Sequence, residues 1–174
     1  MRLAAKSEER GFMKFAMLAG TAILLIITPA WGADDVALTR MATCQDSWLD
    51  WQKSDPAGLQ AFGQRLHAAF SQHDNDAFVV PKSRTEIAGL RVTQLFPNSV
   101  GMGVGLSVTV EAKFDETRRR LEKTLGKPLT HCETSDGMRT CESQIADKRT
   151  VMVMAEDDSK STSTLIGCYY YYEK

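Results

Sequence analysis

Four cysteines, Cys44, Cys132, Cys141 and Cys168, carry the plainest chemical possibility in this chain. Cysteines can hold a metal, cycle between thiol and disulfide, or cross-link a fold. Spacing separates these uses. Eight residues lie between Cys132 and Cys141, where a zinc or thioredoxin-like pair keeps about two. Midway between them stands Asp136-Gly137, a strong signal for a two-residue type I′ hairpin turn. With that turn as the loop, Ser135 faces Met138, Thr134 faces Arg139 and Glu133 faces Thr140. Cys132 then faces Cys141 on a non-hydrogen-bonded pair, where side chains approach most closely. Cβ atoms on such a pair lie about 4.5–5.5 Å apart, near the reach of a disulfide. The stretch therefore reads as a stapled hairpin. Cys44 and Cys168 are left to each other and would close a long loop onto the final strand.

The histidines are His67, His73 and His131. Two of them, His67 and His73, are six apart on one predicted helix, so they do not share a face and make a poor zinc pair. In the hairpin register His131 faces Glu142, which reads first as a polar cross-strand pair. As an acid-base pair, His131 with Glu142 would serve a hydrolase. The stretch "HDND" begins like a calcium loop but lacks its glycine and terminal glutamate. No G-x-S-x-G elbow is present, and paired thiols leave no cysteine nucleophile. Met102, Met138, Met152 and Met154 form no tight copper-binding cluster and read as core filling. No cofactor or metal is expected.

Two further motifs suggest recognition. Gly101, Gly103 and Gly105 alternate within a predicted strand. A phosphate cradle places its glycines between a strand and a helix N-terminus; here they make a smooth strip that another group can approach. "YYYY", residues 169–172, ends the chain's last strand. Tyrosine suits recognition surfaces because one end is apolar and the other polar. Tyr170 and Tyr172 share a face with Cys168. The expected binding surface is therefore Gly101, Gly103, Gly105, Tyr170 and Tyr172.

The elements that hold these residues follow from periodicity. Val36 to Gln52 reads as a helix with Trp48 and Trp51 as core anchors. "SDPAGLQAFGQRLHAAFSQHD" reads as a second, N-capped by Asp55 with Pro56 at the first helical position. The period then changes to two: Phe78 to Val80 is a short strand, and "IAGLRVTQLF" and "VGMGVGLSVTVEA" form a hairpin. "DETRRRLEKTLG" is a third helix, with Asp115 as N-cap and Gly126 as its stop. Glu116/Arg120 and Arg118/Glu122 support it at four-residue spacing. A meander follows, with "RTVMVMAE" as a central strand. The order α-α-β-β-α-β-β-β-β predicts an α+β fold: a mostly antiparallel sheet of about five to six strands packed with helices and tied by two disulfides.

The chain's start reads as an address. From Met13, Lys14 is a short positive region and Phe15 to Ile27 an uncharged apolar run of 13 residues, the length of a signal sequence. Thr28-Pro29 breaks the helix, and Ala30-Trp31-Gly32 places cleavage after Gly32. Residues 1–32 are thus a signal peptide, working from Met13, and 33–174 a single exported domain. An uncleaved segment would be the chain's one membrane contact. Overall net charge is -1; the first 33 residues carry +2 and the rest -3, by count of their charged side chains. A mildly acidic body argues against nucleic-acid binding. The reading is a small exported, non-catalytic periplasmic or secreted binding protein with a protein or small-ligand partner. The alternatives are an inhibitor of a secreted enzyme, using the stapled hairpin, and the hydrolase.

Overall fold

The computed structural model describes residues 31–72, 77–97 and 105–170, with side chains from Val36 onward. Gly101, Gly103, Tyr172 and most of the predicted signal segment lie outside the described residues. Within them are four helices and nine strands, an α+β fold with a wholly antiparallel sheet.

The first predicted helix is two. α1 spans Trp31–Ala42 and α2 spans Trp48–Ser54. Cys44 interrupts them in the left-handed region, φ 60°, because its side chain must turn toward Cys168. Asp46 then returns to α1 through two bonds from Arg40, 2.7 and 2.8 Å. Ser47 caps α2 by accepting from the amide of Asp50 at 3.3 Å. α3, Pro56–Ala69, starts as expected: the Asp55 carboxylate accepts from the Gly58 amide at 2.9 Å. It stops at Ala69, and Phe70 passes into a strand instead of continuing the helix.

The sheet has more strands than expected: β2 (Val79–Pro81) corresponds to the short strand read at Phe78 to Val80, and β1 (Phe70–Gln72) and β3 (Glu86–Ile87) are additional. "IAGLRVTQLF" is not one strand. Ala88 and Gly89 both have positive φ, 50° and 72°, and turn β3 back onto β4, Leu90–Phe96. Alanine tolerates that conformation poorly, so this turn is not announced by its residues. β5 spans Ser107–Glu111.

α4, Phe114–Leu125, begins one residue before the predicted cap. Lys113 takes the N-cap position with no side-chain bond. Asp115 lies in the first turn and is drawn instead to Arg139, 3.0 Å away. Gly126 ends the helix in the left-handed conformation, φ 69°. The expected helical pairs are present, Arg120–Glu116 at 2.8 Å and Arg118–Glu122 at 3.9 Å.

The hairpin β6 (His131–Ser135) and β7 (Met138–Ala146) has the predicted register, Cys132 opposite Cys141 and His131 opposite Glu142. Asp136 and Gly137 both have positive φ, 49° and 74°, as a type I′ turn requires. β8 (Arg149–Glu156) and β9 (Ser163–Tyr170) complete the meander. The strand order is β1-β2-β4-β5-β9-β8-β7-β6, with β3 beside β4. The last strand thus lies in the middle and joins the two halves.

The helices cover one face of this sheet. Leu38 and Met41 of α1, Phe62 of α3 and Phe114 and Leu121 of α4 join one buried cluster with Val108, Val110, Val151, Val153 and Ile166. Each such side chain contributes roughly 1.5–3 kcal/mol by leaving water. Both predicted disulfides are formed, Cys44–Cys168 and Cys132–Cys141. They suggest an oxidising, extracellular compartment. Among the described residues, no helix is long and apolar enough to cross a membrane.

Candidate functional site

Helix α3 lines an apolar concavity. Gly63, Leu66, His67 and Phe70 recur at three- and four-residue spacing and line one side of a cleft of about 260 Å3. Trp48 of α2 and Gln72, Val79, Leu95 and Pro97 from the sheet side close it. The local sequence explains the opening. A Cβ built on Gly63 meets nothing within 4 Å, so no neighbour demands glycine there. Helix-interior glycine costs roughly 0.5–1 kcal/mol relative to alanine. Here it lines the cleft without a side chain. Beneath, Trp51 meets Phe62 edge-on with centroids 5.9 Å apart, which fixes α2 against α3. At the rim His67 is exposed and supplies an imidazole beside apolar walls. Lys82 Nζ donates to the carbonyls of His67 and Ala68 at 3.3 and 3.0 Å, holding the end of α3 that bears the histidine.

A second concavity, about 310 Å3, is polar and lies where α4 meets the β8–β9 turn. Arg139 organises it. Its guanidinium sits 4.4 Å from the centroid of the Phe114 ring and bonds Asp115 at 3.0 Å. Asp157 stands 3.9 Å away. The hydrogen bond from Arg139 holds the Asp115 carboxyl below its ordinary pKa. Arginine already paired with two acids and stacked on a ring is a structural clasp more than a ligand site.

The residues singled out in the sequence are placed as follows. Gly105 is buried; a Cβ there would lie 1.7 Å from the carbonyl oxygen of Cys168. Gly105 therefore does allow close approach, but what approaches is the chain's own strand β9. Tyr170 shares the helix-covered face with Cys168 and is 4% exposed. Its hydroxyl donates to the Asp46 carbonyl at 3.4 Å, and burial raises its pKa. Neither residue offers surface to a partner. On the opposite face, the ring of Tyr169 lies over Gly167, whose built Cβ would stand 3.0 Å from the tyrosine oxygen.

His131 is exposed and its Nδ1 lies 3.1 Å from Thr130 Oγ1. Neither His131 nor Glu142 lines a cavity described here. Met152 and Met154 are half-buried on β8. Among the described residues, no three His, Cys, Asp or Glu side chains converge as metal ligands.

Comparison of the chain with family models, with curated proteins and with solved structures returned no match. The site is therefore read from its own geometry. Sequence reasoning missed the cleft, yet a signal was present: an unexplained glycine inside an amphipathic helix, with a histidine four residues on.

Proposed function

We propose that this chain is an exported, non-catalytic binding protein, active in the periplasm or outside the cell. Its ligand is a small apolar molecule held in the cleft between α2, α3 and the β2–β4 strands. The observation that carries this reading is the cleft's chemistry: tryptophan, leucine, phenylalanine and valine walls with two polar residues, His67 and Gln72, in the lining. Small-molecule sites have this composition, apolar surface for affinity and a few polar groups for orientation. The disulfides support export, since such cross-links persist in oxidising compartments. The apolar run from Phe15 to Ile27 would direct export, with cleavage after Gly32.

Titration with 1-anilinonaphthalene-8-sulfonate, followed by competition with octanoate, tests the cleft. Saturable binding that quenches or shifts Trp48 emission is expected, and Gly63→Phe should abolish it in protein that still melts cooperatively. Binding untouched by that variant would remove the cleft from consideration. Export is read separately by mass spectrometry of the secreted protein, where an N-terminus at Ala33 is expected.

A second reading keeps the stapled hairpin as the loop of an enzyme inhibitor. It is favoured by the exposure of all five β6 residues, and rigid loops lose less entropy on docking. The hydrolase reading needs His131 in an enclosed site, and its exposure weighs against that chemistry.

A further inference from the structure

The polar groups of the α3 cleft are few and of one kind. Its lining holds no Asp, Glu, Lys or Arg. The two polar residues are His67, in the last turn of α3, and Gln72, at the end of β1. Both are exposed. Among the described residues, neither side chain makes a hydrogen bond or ion pair. An imidazole presents an N–H donor in either protonation state, and a carboxamide presents two. No carboxylate in the lining stands ready to accept from an ammonium head.

The end of α3 would ordinarily work against an anion, because the last carbonyls of a helix carry negative partial charge. Here Lys82 Nζ donates to the carbonyls of His67 and Ala68, at 3.3 and 3.0 Å. The lysine charge offsets the helix end at the position where His67 stands. Lys82 lies outside the lining and is occupied by those carbonyls. It removes a repulsion, and His67 is the group that would touch a ligand.

The cleft also has a direction. Gly63 precedes His67 by four residues, about 6 Å along the helix axis. A polar head at His67 and Gln72 therefore leaves its tail to run toward Gly63, along the walls of Leu66, Val79 and Leu95. The volume, about 260 Å3, lies just below the roughly 300–1,000 Å3 of pockets for drug-sized molecules, which suits a single short chain.

We infer, resting on the reading of the cleft as a ligand site, that it takes an aliphatic monocarboxylate of short to medium chain length. The carboxylate accepts from His67 and Gln72, and the alkyl chain covers the apolar walls. An amine of the same length would set its cation against N–H donors and the Lys82 charge. An alcohol would bond the same donors without charge.

Titration of the full, disulfide-intact protein with octanoate, 1-octanol and octylamine, followed by calorimetry at pH 7, compares three heads on one tail. Apolar burial alone would favour octanol, because a carboxylate is costlier to desolvate. Octanoate should nonetheless bind about fivefold tighter than octanol, the margin of a charge-assisted over a neutral hydrogen bond, with octylamine weakest. From butyrate through hexanoate to octanoate, affinity should rise about fourfold per methylene. His67→Ala should erase the preference for octanoate, whereas a change that merely loosened the fold would weaken octanoate and octanol alike. The carboxylate assignment is overturned, with the cleft still an apolar site, if octanol or octylamine binds as tightly as octanoate or if the His67→Ala protein keeps the preference. Affinity that does not grow with chain length overturns the aliphatic tail. If none of the three binds, or if Gly63→Phe leaves octanoate binding intact, the reading of the cleft as a ligand site falls as well.

Discussion

Cys44 and Cys168 are 124 positions apart in sequence, yet their Cα atoms lie 5.1 Å apart and their sulfurs are bonded. The bond fastens the residue that breaks α1 from α2 to the central strand of the sheet. Cys132 and Cys141, 9 positions apart, close only a hairpin. In the chain-entropy view a cross-link stabilises by restricting the unfolded chain, more so for longer loops. Replacing Cys44 and Cys168 together by alanine should therefore cost about 2 kcal/mol more than the same change at Cys132 and Cys141. Urea unfolding of the two variants measures the difference. A larger loss from the hairpin pair would mean that local order at β6 outweighs loop closure.

Gly63 offers a test in the opposite direction. It sits exposed within α3, and no atom crowds a Cβ there. Gly63→Ala should stabilise the protein by roughly 0.5–1 kcal/mol, because alanine loses less backbone freedom on folding. The same change should weaken binding of a cleft ligand. A raised melting temperature with reduced probe binding is the expected pair of results.

Gly105 should respond differently. The carbonyl oxygen of Cys168 occupies the place of its missing Cβ, 1.7 Å from the built position. That oxygen belongs to backbone and cannot swing aside. Gly105→Ala must push β5 from β9 at the centre of the sheet, costing about 3 kcal/mol, the upper range for overpacking. Lower soluble yield and an earlier urea midpoint are expected. Wild-type stability would show that β5 reaches β9 by another path.

The Asp115–Arg139 pair carries a pH signature. Arg139 lowers the folded-state pKa of Asp115, chiefly through their hydrogen bond. A lowered folded value means the contribution is complete above the unfolded aspartate pKa of about 3.9 and is lost as pH falls through the folded value. Both side chains are substantially exposed, 34% and 50%, so the contribution is below about 1 kcal/mol. Asp115→Asn should lower stability slightly at neutral pH and flatten its decline on the acid side. An acid limb identical to that of the wild type would assign acid sensitivity to other carboxylates.

What was legible in the sequence was what neighbours along the chain decide. Asp136-Gly137 can turn a strand within two residues, and from that turn the register of β6 on β7 and the staple follow by counting. Asp55 with Pro56 starts α3 and Gly126 stops α4, because an end group needs only the adjacent turn to satisfy it. The second disulfide came from elimination and the α+β class from the change of period.

Tertiary structure decided the rest, where a residue's role depends on a partner far along the chain. Cys44 takes a left-handed conformation because its bond lies 124 positions away. Asp115 serves Arg139 of β7 where its position suggested a cap. Whether a glycine strip faces a ligand or a strand depends on β9 entering between β5 and β8, and Gly105 faces the strand. The same placement puts Tyr170 under the helices. Period-two alternation separates the two faces of a strand but does not say which one the helices will cover. The cleft arises the same way, from α2, α3 and three strands that meet only once the hydrophobic core has drawn them together.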